Sequence, residues 1–218
     1  MTSVLIKNCH VVTMDAVGSE HASGYVAVDG NVIGAVGAGA VPEAVEAAGA
    51  AGARVIDGAG CLVTPGLINT HHHLYQNLTR AFAPAVNGTL FEWLTRLYPV
   101  WAGIDEEASY LAAWVGLAEL ALGGCTSTAD HLYIAPRAGG DLWAAEIAAA
   151  REVGLRFHPT RGSMTVSQKD GGLPPDSVVQ DDDTVLADSQ RLVAAFHDAT
   201  PASMLRVALA PCSPFSVS

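Results

Sequence analysis

An α/β fold built on a parallel sheet is what the sequence predicts, on two observations. From residue 63 onward, short apolar or β-branched runs alternate with amphipathic helical stretches, the pattern of βα units. Before residue 63 there is only strand-like alternation, so residues 1–62 are expected to form a small β domain and residues 63–218 the α/β part.

The elements follow in order. Residues 3–14 and 25–37 alternate apolar with polar or small residues. Val28-Asp29-Gly30-Asn31-Val32-Ile33 reads as a hairpin, with Asp-Gly supplying the positive-φ turn. Val55-Ile56-Asp57 and Cys61-Leu62-Val63 add two short strands. The run from Val63 through Leu67-Ile68 is the first strand of the α/β part, ending in His71-His72-His73. Leu90 to Trp101 is an aromatic-rich stretch read as helix packing for Phe91 and Leu94, with Trp93 or Trp101 open as pocket walls. Asp105-Glu106-Glu107 opens a helix with an apolar stripe at Leu111, Val115, Ala118 and Leu122, stopped by Gly123-Gly124. Cys125 to Ala129 is the second strand and runs into Asp130-His131. A helix over Asp141–Val153 closes at Gly154, and residues 155–160 make the third strand. Residues 161–180, with several glycines and Pro174-Pro175, read as a long functional loop. Asp181-Asp182-Asp183 caps a helix with a stripe at Val185, Leu192, Val193 and Phe196. Residues 204–210 are the fourth strand, and Pro211-Cys212-Ser213-Pro214 is its exit loop.

Composition narrows the function classes. Half of the 218 residues are hydrophobic and 15% are charged, enough for a sizeable core and unlike a disordered chain. The net charge of −11 argues against nucleic acid as a partner, because phosphate backbones need clustered Lys and Arg. No apolar run approaches the ~20 residues of a membrane span, and no signal peptide is visible. Cys9, Cys61, Cys125 and Cys212 are scattered without a Cys-x-x-Cys pair, as expected of reduced thiols in a cytoplasmic protein. No Ser nucleophile elbow, phosphate loop or zinc knuckle is present.

The chemistry concentrates at His71 and His73. Strand side chains alternate faces, so these two imidazoles are expected on one side and His72 on the other. Two same-facing neutral imidazoles at a strand end suit a divalent metal. Pro65-Gly66-Leu67-Ile68-Asn69-Thr70-His71-His72-His73 resembles the first barrel strand of the amidohydrolase superfamily, whose pattern is Pro-Gly, two apolar residues, Asp or Asn, x, His-x-His. The resemblance implies that the chain is the N-terminal half of a (β/α)8 TIM-type barrel, strands one to four, preceded by a partial β-sandwich. It implies that His71 and His73 ligate one divalent ion, zinc expected and Fe2+ the alternative. A full barrel of this kind takes about 250 residues. The third His ligand, a Glu acid/base, a later His and an Asp of the family pattern are therefore expected beyond Ser218, and no catalytic residue is assignable here. Asp130 and His131 are expected to orient the metal-site histidines from behind. His158 reads as a hydrogen-bonded core residue, and His10, His21 and His197 as surface or loop residues.

The stretch His72-His73-Leu74-Tyr75-Gln76-Asn77-Leu78-Thr79-Arg80-Ala81 resembles the guanine deaminase and triazine hydrolase branch. His158-Pro159-Thr160-Arg161-Gly162-Ser163-Met164, with Lys169 to Pro175, resembles the 8-oxoguanine deaminases. The implied activity is hydrolytic deamination of a purine-like heterocycle, 8-oxoguanine to urate and ammonia, by a full-length enzyme expected to be a homo-oligomer. A triazine hydrolase or an S-adenosylhomocysteine-type deaminase is the alternative within that class. A non-catalytic half-barrel that needs a complementary chain is the alternative outside it. Gln76, Arg161 and Cys212 are the substrate-binding candidates. For each a plainer reading stays open: a solvated rim amide, an Arg satisfying loop carbonyls, and a small buried thiol.

Overall fold

The computed structural model describes residues 3–49 and 52–218. The chain divides into two compact units, Met1–Gly66 and Leu67–Ser218. The division falls after Gly66 and not after residue 62, because the Leu62–Val63 strand pairs within the first unit.

In the first unit, β1 (Val4–Val12) pairs antiparallel with β2 (Glu20–Asp29), which pairs antiparallel with β3 (Val32–Ala38). The expected hairpin is there: Gly30-Asn31 makes the turn, and Gly30 takes φ 60°, which an L side chain adopts at a cost. A helix that the sequence reading missed, α1 (Glu43–Gly49), follows Pro42 in an Ala-rich stretch of high helix propensity. Strands β4 (Arg54–Asp57) and β5 (Leu62–Val63) both run parallel to β1. Cys9, Val11 and Val26 form the small core. The described residues of this unit make one five-stranded sheet; the second layer of the expected sandwich is not among them.

In the second unit, β6 (Leu67–Asn69), β7 (Cys125–Leu132), β8 (Arg156–Ser163) and β9 (Ala208–Pro211) lie side by side in chain order, all parallel. Helices α2 (Leu90–Trp101) and α3 (Glu106–Leu122) link β6 to β7, α4 (Leu142–Val153) links β7 to β8, and α5 (Asp182–Phe196) links β8 to β9. Strand order without a reversal is the progression of a barrel wall, whereas a doubly wound sheet reverses. The helices start where the sequence says they should. Asp105, Asp141 and Asp181 accept hydrogen bonds from the amides of Ala108, Ala144 and Thr184 at 2.9, 3.0 and 2.8 Å.

Two local expectations fail. The predicted apolar stripe of α3 points outward, with Leu111 48% and Leu122 90% exposed. The buried face is instead Ser109, Ala112, Ala113, Gly116 and Leu117. Small residues are needed there because the segment after His73 packs directly on the helix: a Cβ on Gly116 would stand 2.2 Å from Asn77 Nδ2 and 2.6 Å from Leu74 Cδ2. Residues 161–180 are not a free loop either. β8 runs on to Ser163, and two 3-10 turns (Gln168–Asp170 and Asp176–Val178) fold over fully buried Ser167 and Val178. Among the described residues no helix is long and apolar enough to cross a membrane, and Cys9, Cys61, Cys125 and Cys212 are free.

Candidate active site

Strand β6 ends at Asn69, so the three histidines lie just past the strand and not on it. Asn69 bends the chain away: its Oδ1 accepts from the His71 amide at 3.4 Å and its Nδ2 donates to Thr128 Oγ1 at 3.1 Å. The His131 amide still donates to the His72 carbonyl at 2.9 Å, which ties the segment to β7. Side-chain placement here follows from these bonds rather than from strand alternation alone.

The rings of His71 and His73 meet edge to face, centroids 5.0 Å apart and planes at 90°. His72 turns away into a small cavity with Leu67, Gly116 and Glu119, against α3. His73 Nδ1 lies 2.7 Å from the His131 carbonyl oxygen. A carbonyl only accepts, so the proton sits on Nδ1 and the Nε2 lone pair is left for a ligand. His131 Nε2 in turn lies 3.0 Å from the Ala210 carbonyl of β9. Burial lowers the pKa of both His73 and His131, which keeps the imidazoles neutral.

Tyr75 and Tyr133 wall this cluster. Their rings stand 6.4 and 5.4 Å from His73 and 5.7 Å from each other. Burial raises the Tyr75 phenol well above its ordinary value and that of Tyr133 to about 12. The sequence reading missed both, although each lies two residues past a site histidine. Gln76 donates from Nε2 to Tyr75 Oη at 3.3 Å and sits at the half-exposed edge. Cys212 is half-buried beside Tyr98 and Tyr133, its amide bound to the Ser163 carbonyl at 3.0 Å, and burial raises its thiol pKa. Trp101 is fully buried behind Tyr75, 5.1 Å between rings, so it does not line a pocket. Phe91, expected to pack in the core, is 53% exposed and rests on Phe215, while Leu94 is buried.

Arg161 requires a correction. Its side chain is sealed on the helical side of the sheet and not in the cluster. The guanidinium donates to the Gly162 carbonyl at 2.7 Å, to Gln180 Oε1 at 2.5 Å and to Asp188 Oδ2 at 3.1 Å, and it stacks 4.5 Å from the Trp143 ring. Every polar face is engaged, so a substrate role for Arg161 is withdrawn. Asp130 also faces the helices. It is 1% exposed, and its Oδ1 accepts from the Leu74 amide at 2.6 Å, anchoring the turn that follows His73.

The donor set suits a divalent ion in part. With metal–nitrogen distances of about 2.0–2.1 Å, two imidazoles on a tetrahedral ion have ring centroids roughly 5 Å apart. The observed His71–His73 spacing meets that, and His73 has the tautomer required. Among the described residues no three His, Cys, Asp or Glu side chains come together around one point, so further ligands are not in this set.

The sequence profile of the amidohydrolase family matches residues 62–218. The chain is 48% identical to an 8-oxoguanine deaminase of Pseudomonas aeruginosa over 203 residues, 92% of this chain and 43% of that protein. It is 43% identical to a hydroxydechloroatrazine ethylaminohydrolase of a Pseudomonas species over 75% of this chain and 34% of that protein. An atrazine chlorohydrolase from Arthrobacter aurescens, solved in complex with zinc, superposes with a TM-score of 0.85 at 32% identity, over 99% of this chain and 48% of that one. The chain therefore spans less than half the length of these relatives.

Proposed function

The chain belongs to the amidohydrolase family, and we propose that it carries the first metal-binding strand ends of a hydrolytic deaminase acting on a purine-like heterocycle, 8-oxoguanine being the substrate it fits best. The observation that carries this reading is the convergence of His71 and His73 with the His73 tautomer fixed by the His131 carbonyl. The relative with 48% identity is an 8-oxoguanine deaminase, which favours that ring over a triazine.

Zinc is the proposed ion, and when bound a divalent ion supplies Lewis-acid activation of water near neutral pH. The chain's own residues then have the following roles. His71 and His73 hold the ion through neutral imidazoles. Tyr75 and Tyr133 stay protonated and act as apolar walls, with the Tyr75 hydroxyl accepting from Gln76 Nε2. Gln76, at the rim, offers a carboxamide that donates and accepts at once, which matches the edge of an amino-oxo heterocycle. Cys212 remains a neutral thiol against that wall. Asp130 is turned away from the cluster and is not assigned the proton transfer to the departing amine, and no third ligand gathers with the two histidines among the described residues. The balanced reaction takes 8-oxoguanine and water to urate and ammonia. A cytoplasmic setting fits the four free thiols.

Ammonia and urate release from 8-oxoguanine, by a protein joining this chain to the second half of a barrel, tests the proposal. Turnover of a triazine with none of 8-oxoguanine favours the second reading, which the hydroxydechloroatrazine ethylaminohydrolase relative supports. The 218-residue chain with zinc alone is expected to release no ammonia, because two histidines fall short of the three protein ligands usual in catalytic zinc sites.

A further inference from the structure

Behind the histidine cluster, on the helical side of β7, two carboxyl groups are buried together. Asp130 is 1% exposed and Glu146, on α4, is 2% exposed. Asp130 Oδ2 and Glu146 Oε1 are both sealed from solvent, and neither receives a hydrogen bond from a conventional donor among the described residues. The two side chains lie within hydrogen-bond reach of each other, and no Lys or Arg is among the groups acting on either.

Two carboxylates cannot both be ionised in contact inside a protein without a cation. One proton held between them removes both difficulties: it discharges one group and gives the orphaned oxygen of the other a donor. Which group keeps it follows from the remaining partners. Asp130 already accepts from the Leu74 amide at 2.6 Å, a bond that favours its charged form. Glu146 has no such donor among the described residues. Burial and the neighbouring carboxyl both push its pKa upward, burial first.

We propose that Glu146 is a positioning residue for the imidazole pair: its protonated carboxyl donates to Asp130 Oδ2, and Asp130 Oδ1 thereby stays fixed on the Leu74 amide, which holds the turn carrying His73. The chain of contacts is Glu146 to Asp130, Asp130 to the Leu74 N–H, and Leu74 to the adjacent His73, whose ring is fixed separately by the His131 carbonyl. The proposal rests on the metal-site reading for its consequence but not for its geometry, so the two can fail separately.

The test uses the 218-residue chain. In the unmodified, metal-free protein at pH 8, the 13C carboxyl resonance of Glu146 should be that of a neutral acid and that of Asp130 a carboxylate. The Leu74 amide proton should be shifted downfield and protected from exchange. Glu146→Gln keeps a donor for Asp130 and should leave the Leu74 amide and Co2+ affinity within about twofold of the parent. Glu146→Leu removes the donor. It should shift the Leu74 amide and the His73 ring nitrogens, and weaken Co2+ binding by tenfold or more, the usual size of such second-layer effects. Two ionised carboxylates in the parent, or a Leu74 amide equally unmoved in both variants, overturns the proposal. If Glu146→Leu fails to fold, the carboxyl resonances of the parent decide alone. If the parent binds no Co2+ while the carboxyl and Leu74 resonances behave as stated, the metal reading fails and the positioning contact stands.

Discussion

Asp130 and His131 are neighbours on one strand and do opposite work. His131 faces the cluster, where its carbonyl fixes the His73 tautomer and its ring binds the Ala210 carbonyl. Asp130 faces the helices, sealed against Glu146 and the Leu74 amide. Strand alternation sends adjacent side chains to opposite faces, so one dipeptide meets both the histidine cluster and the helices behind it. Arg161 belongs with Asp130. The comparison teaches that the face a strand-end residue takes decides whether it meets the histidine cluster, as His131 does, or the helices, as Asp130 and Arg161 do.

Arg161 and its partners should therefore respond in stability and not in metal binding, whereas Asp130 and Glu146 reach the histidine pair through the Leu74 amide. The largest effect is expected at Asp188, whose loss leaves the buried Arg161 guanidinium without its counter-charge. Asp188→Ala should destabilise by about 3–5 kcal/mol, whereas Arg161→Met, which removes the buried charge itself, should lie near neutral. Thermal unfolding checks both, and a changed Co2+ affinity in the Met variant would return Arg161 to the reactive side. Next is Gly116→Ala, where the new methyl meets Asn77 and Leu74 and should cost about 1–3 kcal/mol by overpacking. An unchanged melting temperature there would show that the turn after His73 can give way.

The Asp130–Glu146 pair also sets a pH dependence. Both pKa values are raised by burial from ordinary values of 3.8 and 4.5, so the folded state retains protons that the unfolded chain gives up. Stability should then fall as pH rises from the ordinary carboxylate range toward the folded values, by up to about 1.4 kcal/mol per pH unit for each retained proton. Glu146→Gln should flatten that fall, its advantage over the parent growing between pH 5 and 8. The lowered pKa values of His72, His73 and His131 act in the opposite window: their contribution is lost as pH falls through and below the ordinary imidazole value of 6.5. Urea denaturation across pH separates the two limbs. The smallest effect is expected for Phe91→Ala, which trims an exposed ring and should change stability by less than about 1 kcal/mol.

Much of this was legible in the sequence because it rests on local physics. The Asp caps, the glycine stops and the Gly30 turn are short-range, and the four parallel strands follow from βα alternation. What was not legible depends on packing partners distant in sequence. The α3 stripe misled because Leu111 and Val115 are hydrophobic yet unpacked in this unit, while the small residues admit Leu74 and Asn77. Arg161 carried a functional look in its motif, but its partners Trp143, Gln180 and Asp188 come from other segments. Glu146 sat unremarked in an Ala-rich helix, since its meaning appears only opposite Asp130.

The central claim is that His71 and His73 form one face of a metal site and His72 does not. Co2+ titration of the metal-free chain, followed by its visible spectrum and by calorimetry, tests it directly. His71→Ala and His73→Ala should each weaken binding by a hundredfold or more, while His72→Ala stays within about threefold of the parent, since only His72 points toward α3. Equal loss in all three variants, or strong binding retained without His73, would contradict the account.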